Sequence, residues 1–76
     1  MNKTRRKNIR EARDYIEKAI EILQEACDEE QEAYDNLPEG IQESDRGWDM
    51  EEAVGNLESA IESAEEVISS IDEIIG

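Results

Sequence analysis

Apolar residues recur at alternating steps of three and four along two long stretches of the chain. In the first stretch eight of nine positions at this spacing are apolar, and in the second all eight are. The positions are Ile9, Ala12, Ile16, Ala19, Leu23, Ala26, Glu30, Ala33 and Leu37, then Met50, Ala53, Leu57, Ala60, Ala64, Val67, Ile71 and Ile74. This spacing puts the apolar side chains on one face of an α-helix. We therefore predict an all-α fold, with helix 1 over about residues 4–36 and helix 2 over about 50–75.

Helix-breaking residues separate the two stretches. Pro38 cannot donate a backbone hydrogen bond and disfavours helical geometry at the residue before it, so helix 1 is expected to end just ahead of it. Gly40 suits a turn. The whole chain, 1–76, then reads as a single domain, an antiparallel two-helix hairpin with a loop over 37–49.

The start of helix 2 has two interpretations. Asp49, followed three residues later by Glu52, is a variant of the capping box and predicts a helix that begins at residue 50. Alternatively Ser44 or Asp45 caps the helix, which then begins about one turn earlier.

Each helix carries more apolar surface than one narrow seam can cover. The stripes cover roughly three positions in seven, as core-facing helices of a bundle do. Because monomers rarely leave a long apolar strip exposed, we expect homo-oligomers, namely a four-helix or larger bundle and most simply a two-fold dimer. A different protein could equally cover this second face. The residues expected at the oligomer interface are Ile20, Cys27, Tyr34, Val54, Ile61, Ile68 and Ile75.

The amino-acid composition argues against several classes of function. The chain has no His, and its 22 acidic against 8 basic residues give a net charge of −14, which disfavours general nucleic-acid binding. No nucleophile–base pair, phosphate loop or metal-ligand spacing is present, so no enzyme activity, cofactor or metal is expected. No apolar run is long enough for a membrane span. The lone Cys27 is expected to be a buried hydrophobe, and Glu30 to reach water near the loop or to select a partner.

Positive charge is concentrated at the start of the chain, where residues 1–13 carry a net charge of +5 (six basic, one acidic). One explanation is neutralisation across the hairpin by acids near the end of helix 2, namely Glu65, Glu66, Asp72, Glu73 and the terminal carboxylate, and a lesser one is a free basic arm. The alternative is an anion site that binds a phosphorylated or cyclic nucleotide and sequesters it. The residues predicted for that site are Arg5, Arg6, Lys7, Arg10 and Arg13, with Tyr15 stacking on a base.

The loop offers the second candidate site. Leu37, Ile41 and Trp48 either plug the open end of the hairpin or form part of a partner-binding loop. Acidic side chains surround them, as expected of a surface that occupies a basic groove on another protein, although a charge run is usually a solvated face. The residues predicted to bind a partner are Glu39, Glu43, Asp45, Arg46 and Trp48. A purely structural oligomer is a further alternative.

Two segments carry a resemblance to a known group of proteins. The run EAYDNLPEGIQESDRG at 32–47, followed by MEEAVGNLESAIESAEE at 50–66, resembles short uncharacterised acidic proteins encoded by bacteriophages and mobile elements of Gram-positive bacteria. The resemblance implies that the chain is encoded in such a genome and acts in a bacterial host. A single Cys, which cannot form a disulfide framework within the chain, points to a reducing compartment, so the expected location is the cytoplasm of that host. The resemblance further implies an anti-defence function, which is either inhibition of a host defence protein or sequestration of a nucleotide signal. It supplies no site residues.

Overall fold

The computed structural model describes residues 1–76 and is all-helical, as the spacing of apolar residues predicts. The helices are α1 (Lys3–Asp35), α2 (Glu39–Gln42) and α3 (Asp45–Ile75). The long helices α1 and α3 pack side by side in opposite directions, since Arg6 donates to the carbonyl oxygen of Ile75 while Cys27 lies against Val54. The chain forms a rod of 59 × 15 × 14 Å.

The helix boundaries differ from the prediction mainly at the loop. α1 begins at Lys3, where the side chain of Asn2 accepts a hydrogen bond from the Arg5 amide at 2.8 Å. α3 begins at Asp45 rather than at residue 50. Ser44 has the extended backbone of an N-cap residue, with φ −100° and ψ 174°, so the earlier of the two predicted starts is the observed one.

The segment expected to be a loop contains the short helix α2. The side-chain amide of Gln42 donates to the carbonyl oxygen of Tyr34 at 3.0 Å and ties α2 to the end of α1. Gly47 is buried where α3 passes α2, and a Cβ atom there would lie 2.7 Å from the Cα of Gln42. The close approach of the two helices therefore requires glycine at this position for space rather than for an unusual backbone conformation.

Apart from Ala26 and Ala53, the buried and half-buried residues of α1 and α3 follow one continuous spacing of three and four, and we call this set of residues the inner seam. In each helix, every second position of the inner seam also belongs to the predicted apolar stripe. These shared positions include Ile9, Ile16 and Leu23 on α1, and Met50 and Leu57 on α3. The inner seam consists of Arg6, Ile9, Arg13, Ile16, Ile20, Leu23, Cys27, Glu30 and Tyr34 on α1, and Gly47, Met50, Val54, Leu57, Ile61, Ala64, Ile68, Ile71 and Ile75 on α3.

The other positions of the inner seam, which we call its second column, include the residues that were expected at the oligomer interface, and the structure corrects this expectation. The residues predicted to face another chain are buried or half-buried where the two helices of the same chain meet. They are Ile20, Cys27, Tyr34, Val54, Ile61, Ile68 and Ile75. The physical reason is apolar area, because turning isoleucine and valine inward instead of alanine buries more surface at each level of the helix pair.

In the predicted apolar stripe every second position is mostly alanine, and we call these positions the alanine columns: Ala12, Ala19, Ala26 and Ala33 on α1, and Ala53 and Ala60, with Val67 and Ile74, on α3. They were expected in the helix contact but lie on another side of each helix. We call this surface the outer face. It consists of Asn8, Ala12, Tyr15, Ala19, Ile22 and Ala26 on α1, and Ala53, Asn56, Ala60, Ser63, Val67, Ser70 and Ile74 on α3. Ala26 and Ala53 are half-buried at its border, and the other eleven residues are exposed.

Little of the chain is removed from water by this packing. Only four of 76 residues are buried, and the accessible surface is 5671 Å², against about 4,700 Å² for a compact monomer of this mass. The radius of gyration is 17.3 Å, where a compact chain of this length would have about 11 Å. The isolated helix pair is thus long and sparsely packed.

Candidate protein-interaction site

One end of the rod presents the residues that the sequence predicts to bind a partner. We call residues 36–49 the loop end. Its candidate residues lie on α2, immediately after it, and in the first turn of α3, and every one of them is exposed: Glu39, Glu43, Asp45, Arg46 and Trp48. Trp48 has 57% of its surface exposed. The structure therefore brings these five residues to one end of the molecule.

Hydrogen bonds hold the loop end on the rod. Besides the bond from Gln42 to Tyr34, the hydroxyl of Tyr34 donates to a carboxylate oxygen of Glu51 at 2.7 Å, which links α1 to α3. The pKa of Tyr34 is raised, first by this hydrogen bond and then by burial, because the bond favours the protonated phenol. Trp48 thus projects from a structured helix turn and not from a free loop.

The apolar residues of the loop do not all plug the open end of the helix pair. Leu37 is half-buried, whereas Ile41 and Trp48 are exposed. Sequence reasoning missed the supporting roles of Gln42, Gly47 and Glu51. Of these, only Gly47 carried a signal, since it is a glycine three residues beyond a possible N-cap.

At the opposite end, acid and base pair across the two helices. The guanidinium of Arg13 contacts both carboxylate oxygens of Asp72, at 2.5 and 3.2 Å, and also Glu17 at 3.3 Å. The hydrogen bond from Arg13 lowers the pKa of Asp72, and the same bond raises the pKa of Arg13. Of the acids expected to neutralise the basic end, Asp72 is the one in an ion pair with it.

The predicted anion-site residues are not gathered around one point. Arg13 and Arg6 face the inner seam, where Arg6 donates to the Ile75 carbonyl oxygen at 3.3 Å. Tyr15 lies two residues after Arg13, about 200° around the helix, on the outer face. The remaining cations of the cluster, Arg5, Lys7 and Arg10, are exposed and form no ion pair. Nucleotide sequestration stays a prediction of the sequence, and this geometry does not favour it.

The side of the rod opposite the outer face is acidic. Two open grooves run along it between α1 and α3, and one of them is lined by Asp28, Glu58, Glu62 and Glu65 around Cys27. Burial raises the pKa of the Cys27 thiol, and the nearby carboxylates of Glu58 and Asp28 raise it further. No cluster of His, Cys, Asp and Glu side chains is arranged to hold a metal ion. None of the helices has a stretch long and apolar enough to cross a bilayer.

No family model, curated protein or solved structure matches this chain. The rod offers three surfaces for binding: the loop end, the acidic side and the outer face.

Proposed function

We propose that this chain is a helical protein-binding module that docks on a basic surface of another protein through its loop end. The observation that supports this best is Trp48, which is 57% exposed on the first turn of α3. Tryptophan is among the residues that contribute most to protein interfaces, because it buries a large area with few rotatable bonds. A tryptophan that is exposed on a structured helix turn can insert into a pocket of a partner and anchor the complex.

The charges around this anchor select the partner. Glu39, Glu43, Asp45 and Asp49 surround Trp48 along the chain, and each is exposed. Arg46 is the one base among them and makes no ion pair within the chain. Acidic rims speed encounter with basic partners and repel acidic ones, so they supply specificity while the apolar centre supplies affinity.

Self-association is the second part of the proposal. A helix pair that exposes about 1,000 Å² more surface than a compact monomer of its mass is expected to pack against further helices. We propose that the chain forms a homo-oligomeric bundle that displays more than one loop end. Two linked loop ends would strengthen binding to a repetitive or dimeric partner through effective concentration.

The resemblance of residues 32–47 and 50–66 to proteins of bacteriophages and mobile elements supplies the proposed setting. In that setting the partner is a defence protein of the bacterial host, and binding inhibits it. This step rests on the resemblance alone, whereas the docking surface rests on the exposure and charge of the loop end.

The proposal is tested by capturing partners from a lysate of a Gram-positive host. The tagged baits are the wild type, Trp48→Ala and a triple charge reversal, together with a matched control. Trp48→Ala is expected to weaken capture by about 30-fold, because loss of an interface anchor costs about 2 kcal/mol. Triple reversal of Glu39, Glu43 and Asp45 to Lys is expected to abolish it. Since Trp48 is the only tryptophan, its emission should shift to the blue when the purified partner is added.

The matched control reverses three acids of the acidic side, Glu58, Glu62 and Glu65, to Lys. It changes the net charge by the same amount and should leave capture unchanged. Equal capture by wild type and the loop-end variants would contradict the proposal, as would equal loss in the control, which would show that only total charge matters.

A further inference from the structure

We infer that the outer face is the surface through which two copies of this chain pair, giving an isologous dimer in which four helices pack together. The inference rests on the self-association proposed above and assigns it to a specific surface. That surface is on the opposite side of the rod from the acidic grooves, and it is distinct from the inner seam that the chain already fills.

The exposed bulky side chains are distributed unevenly. Five large apolar residues of α1 and α3 are exposed, and four of them lie on the outer face: Tyr15 is 70% exposed, Ile22 57%, Val67 47% and Ile74 53%. The fifth, Trp48, belongs to the loop end. Single exposed apolar residues are ordinary, but a row of them on one face marks an interaction surface.

The two helices contribute to the same face because the pair is antiparallel. Some residues lie four positions after a residue of the second column of the inner seam. Two of these, Gln24 after Ile20 and Glu58 after Val54, line one groove together with Cys27. Other residues, such as Ala19 and Ala60, lie one position before a residue of the second column. They are rotated by about 100° around their helix in the direction away from the acidic grooves. They therefore share the opposite side of the pair.

Charge separates this face from the rest of the surface. At the same spacing the face is bounded by charged residues, Arg5 and Glu29 on α1 and Asp49 on α3, and between these limits none of its thirteen residues is charged, although 39% of the whole chain is. A foreign partner would find no charge to recognise here, whereas a second copy can cover the face without desolvating any carboxylate. The acidic side, by contrast, would place like charges against each other in a dimer.

Size and shape also fit a second copy. The face is about 30 Å long, from about 20 residues at 1.5 Å each, and the rod is 15 Å wide, so each copy would cover on the order of 500 Å² and the pair about 1,000 Å². That is the lower limit for a specific interface, which predicts a reversible dimer. Because alanine and serine are small, their positions beside Tyr15 and Ile22 let the bulky side chains of the other copy approach the helix backbones closely.

Sedimentation equilibrium of the wild type, over a range of protein and salt concentrations, tests the inference together with two double variants. The wild type should form a dimer of twice 8.7 kDa. Its dissociation constant should fall several-fold as salt rises, since screening weakens repulsion between two chains of charge −14. Ala19→Glu with Ser63→Glu, which adds two charges to the outer face, should remain monomeric throughout.

Gln24→Glu with Ser69→Glu adds the same two charges beside the acidic grooves and should dimerise within about threefold of the wild type. Circular dichroism checks that each variant stays helical, and the milder pair Ile22→Ala with Val67→Ala should weaken dimerisation at least tenfold even if the charged variant misfolds. A monomeric wild type would overturn both the proposed self-association and this inference. A dimer that the outer-face variants leave intact, or a species larger than a dimer, would overturn the assignment of this surface alone.

Discussion

Ile20→Ala is expected to lower the free energy of unfolding by about 2–4 kcal/mol, whereas Ile22→Ala changes it by less than about 0.5 kcal/mol in the monomer. The two residues have the same side chain and lie two positions apart on α1. Ile20 is 8% exposed in the inner seam, and Ile22 is 57% exposed on the outer face. Truncation of Ile20 leaves a cavity between α1 and α3, while truncation of Ile22 removes only solvated surface.

Urea denaturation followed by circular dichroism measures both changes. The protein concentration should be the lowest that gives a signal, so that dimer formation does not add to the apparent stability. For a domain this small the Ile20 variant should lose most of its cooperative transition. Equal losses for the two variants, or a larger loss for Ile22, would mean that the helices meet through the alanine columns.

Gly47→Ala is expected to destabilise the chain by about 1–3 kcal/mol, while Gly55→Ala stabilises it by about 0.5–1 kcal/mol. A methyl group at Gly47 would overlap the backbone of Gln42, which cannot move away without shifting α2. Around Gly55 nothing lies within 4 Å of an added Cβ, so the substitution there only restrains the unfolded chain and favours helix.

The emission of Trp48, next to Gly47, reports the transition at the loop end, and circular dichroism reports the whole rod. For Gly47→Ala the fluorescence midpoint in urea should shift at least as far as the dichroism midpoint, because the strain is local. If Gly47→Ala proved as well tolerated as Gly55→Ala, α2 would not be packed against α3 as the structure places it.

The sequence predicts the helices well because their apolar spacing is long and regular. It does not decide which face of each helix turns inward. Column Ala12 to Ala33 and column Ile20 to Tyr34 both combine with Ile9, Ile16 and Leu23 to give steps of three and four. Only the gain in apolar area on pairing selects the second, and that gain depends on both helices at once.

The loop end shows a different limit. Local signals placed a helix start at Asp49 as readily as at Ser44, because both residue types cap helices. The observed start depends on a tertiary feature, the contact of Gly47 with Gln42, that no local pattern contains. The exposure of the four charged candidate residues was predictable from their polarity, but the exposure of Trp48 and the packing of α2 against Gly47 were not.

The basic end illustrates how packing changes a charge-based prediction. Six cations near the start of the chain suggest an anion site when the sequence is read alone. In the structure Arg6 and Arg13 occupy inner-seam positions and bond to the end of α3, at Ile75 and Asp72. The cations that could have converged on a phosphate are thus divided between the helix contact and solvent.

We expect the inner seam to be buried within a single chain and the outer face to be buried only when two chains pair. Rates of thiol alkylation test this expectation most directly, measured over a hundredfold range of protein concentration for the native Cys27 and for Ala19→Cys in a Cys27→Ala background. Cys27 should react slowly at every concentration, since it lies in the inner seam and burial raises its thiol pKa. Cys at position 19 should react rapidly when dilute and progressively more slowly as dimers form. Rapid reaction of Cys27, or a rate at position 19 that does not change with concentration, would contradict the account.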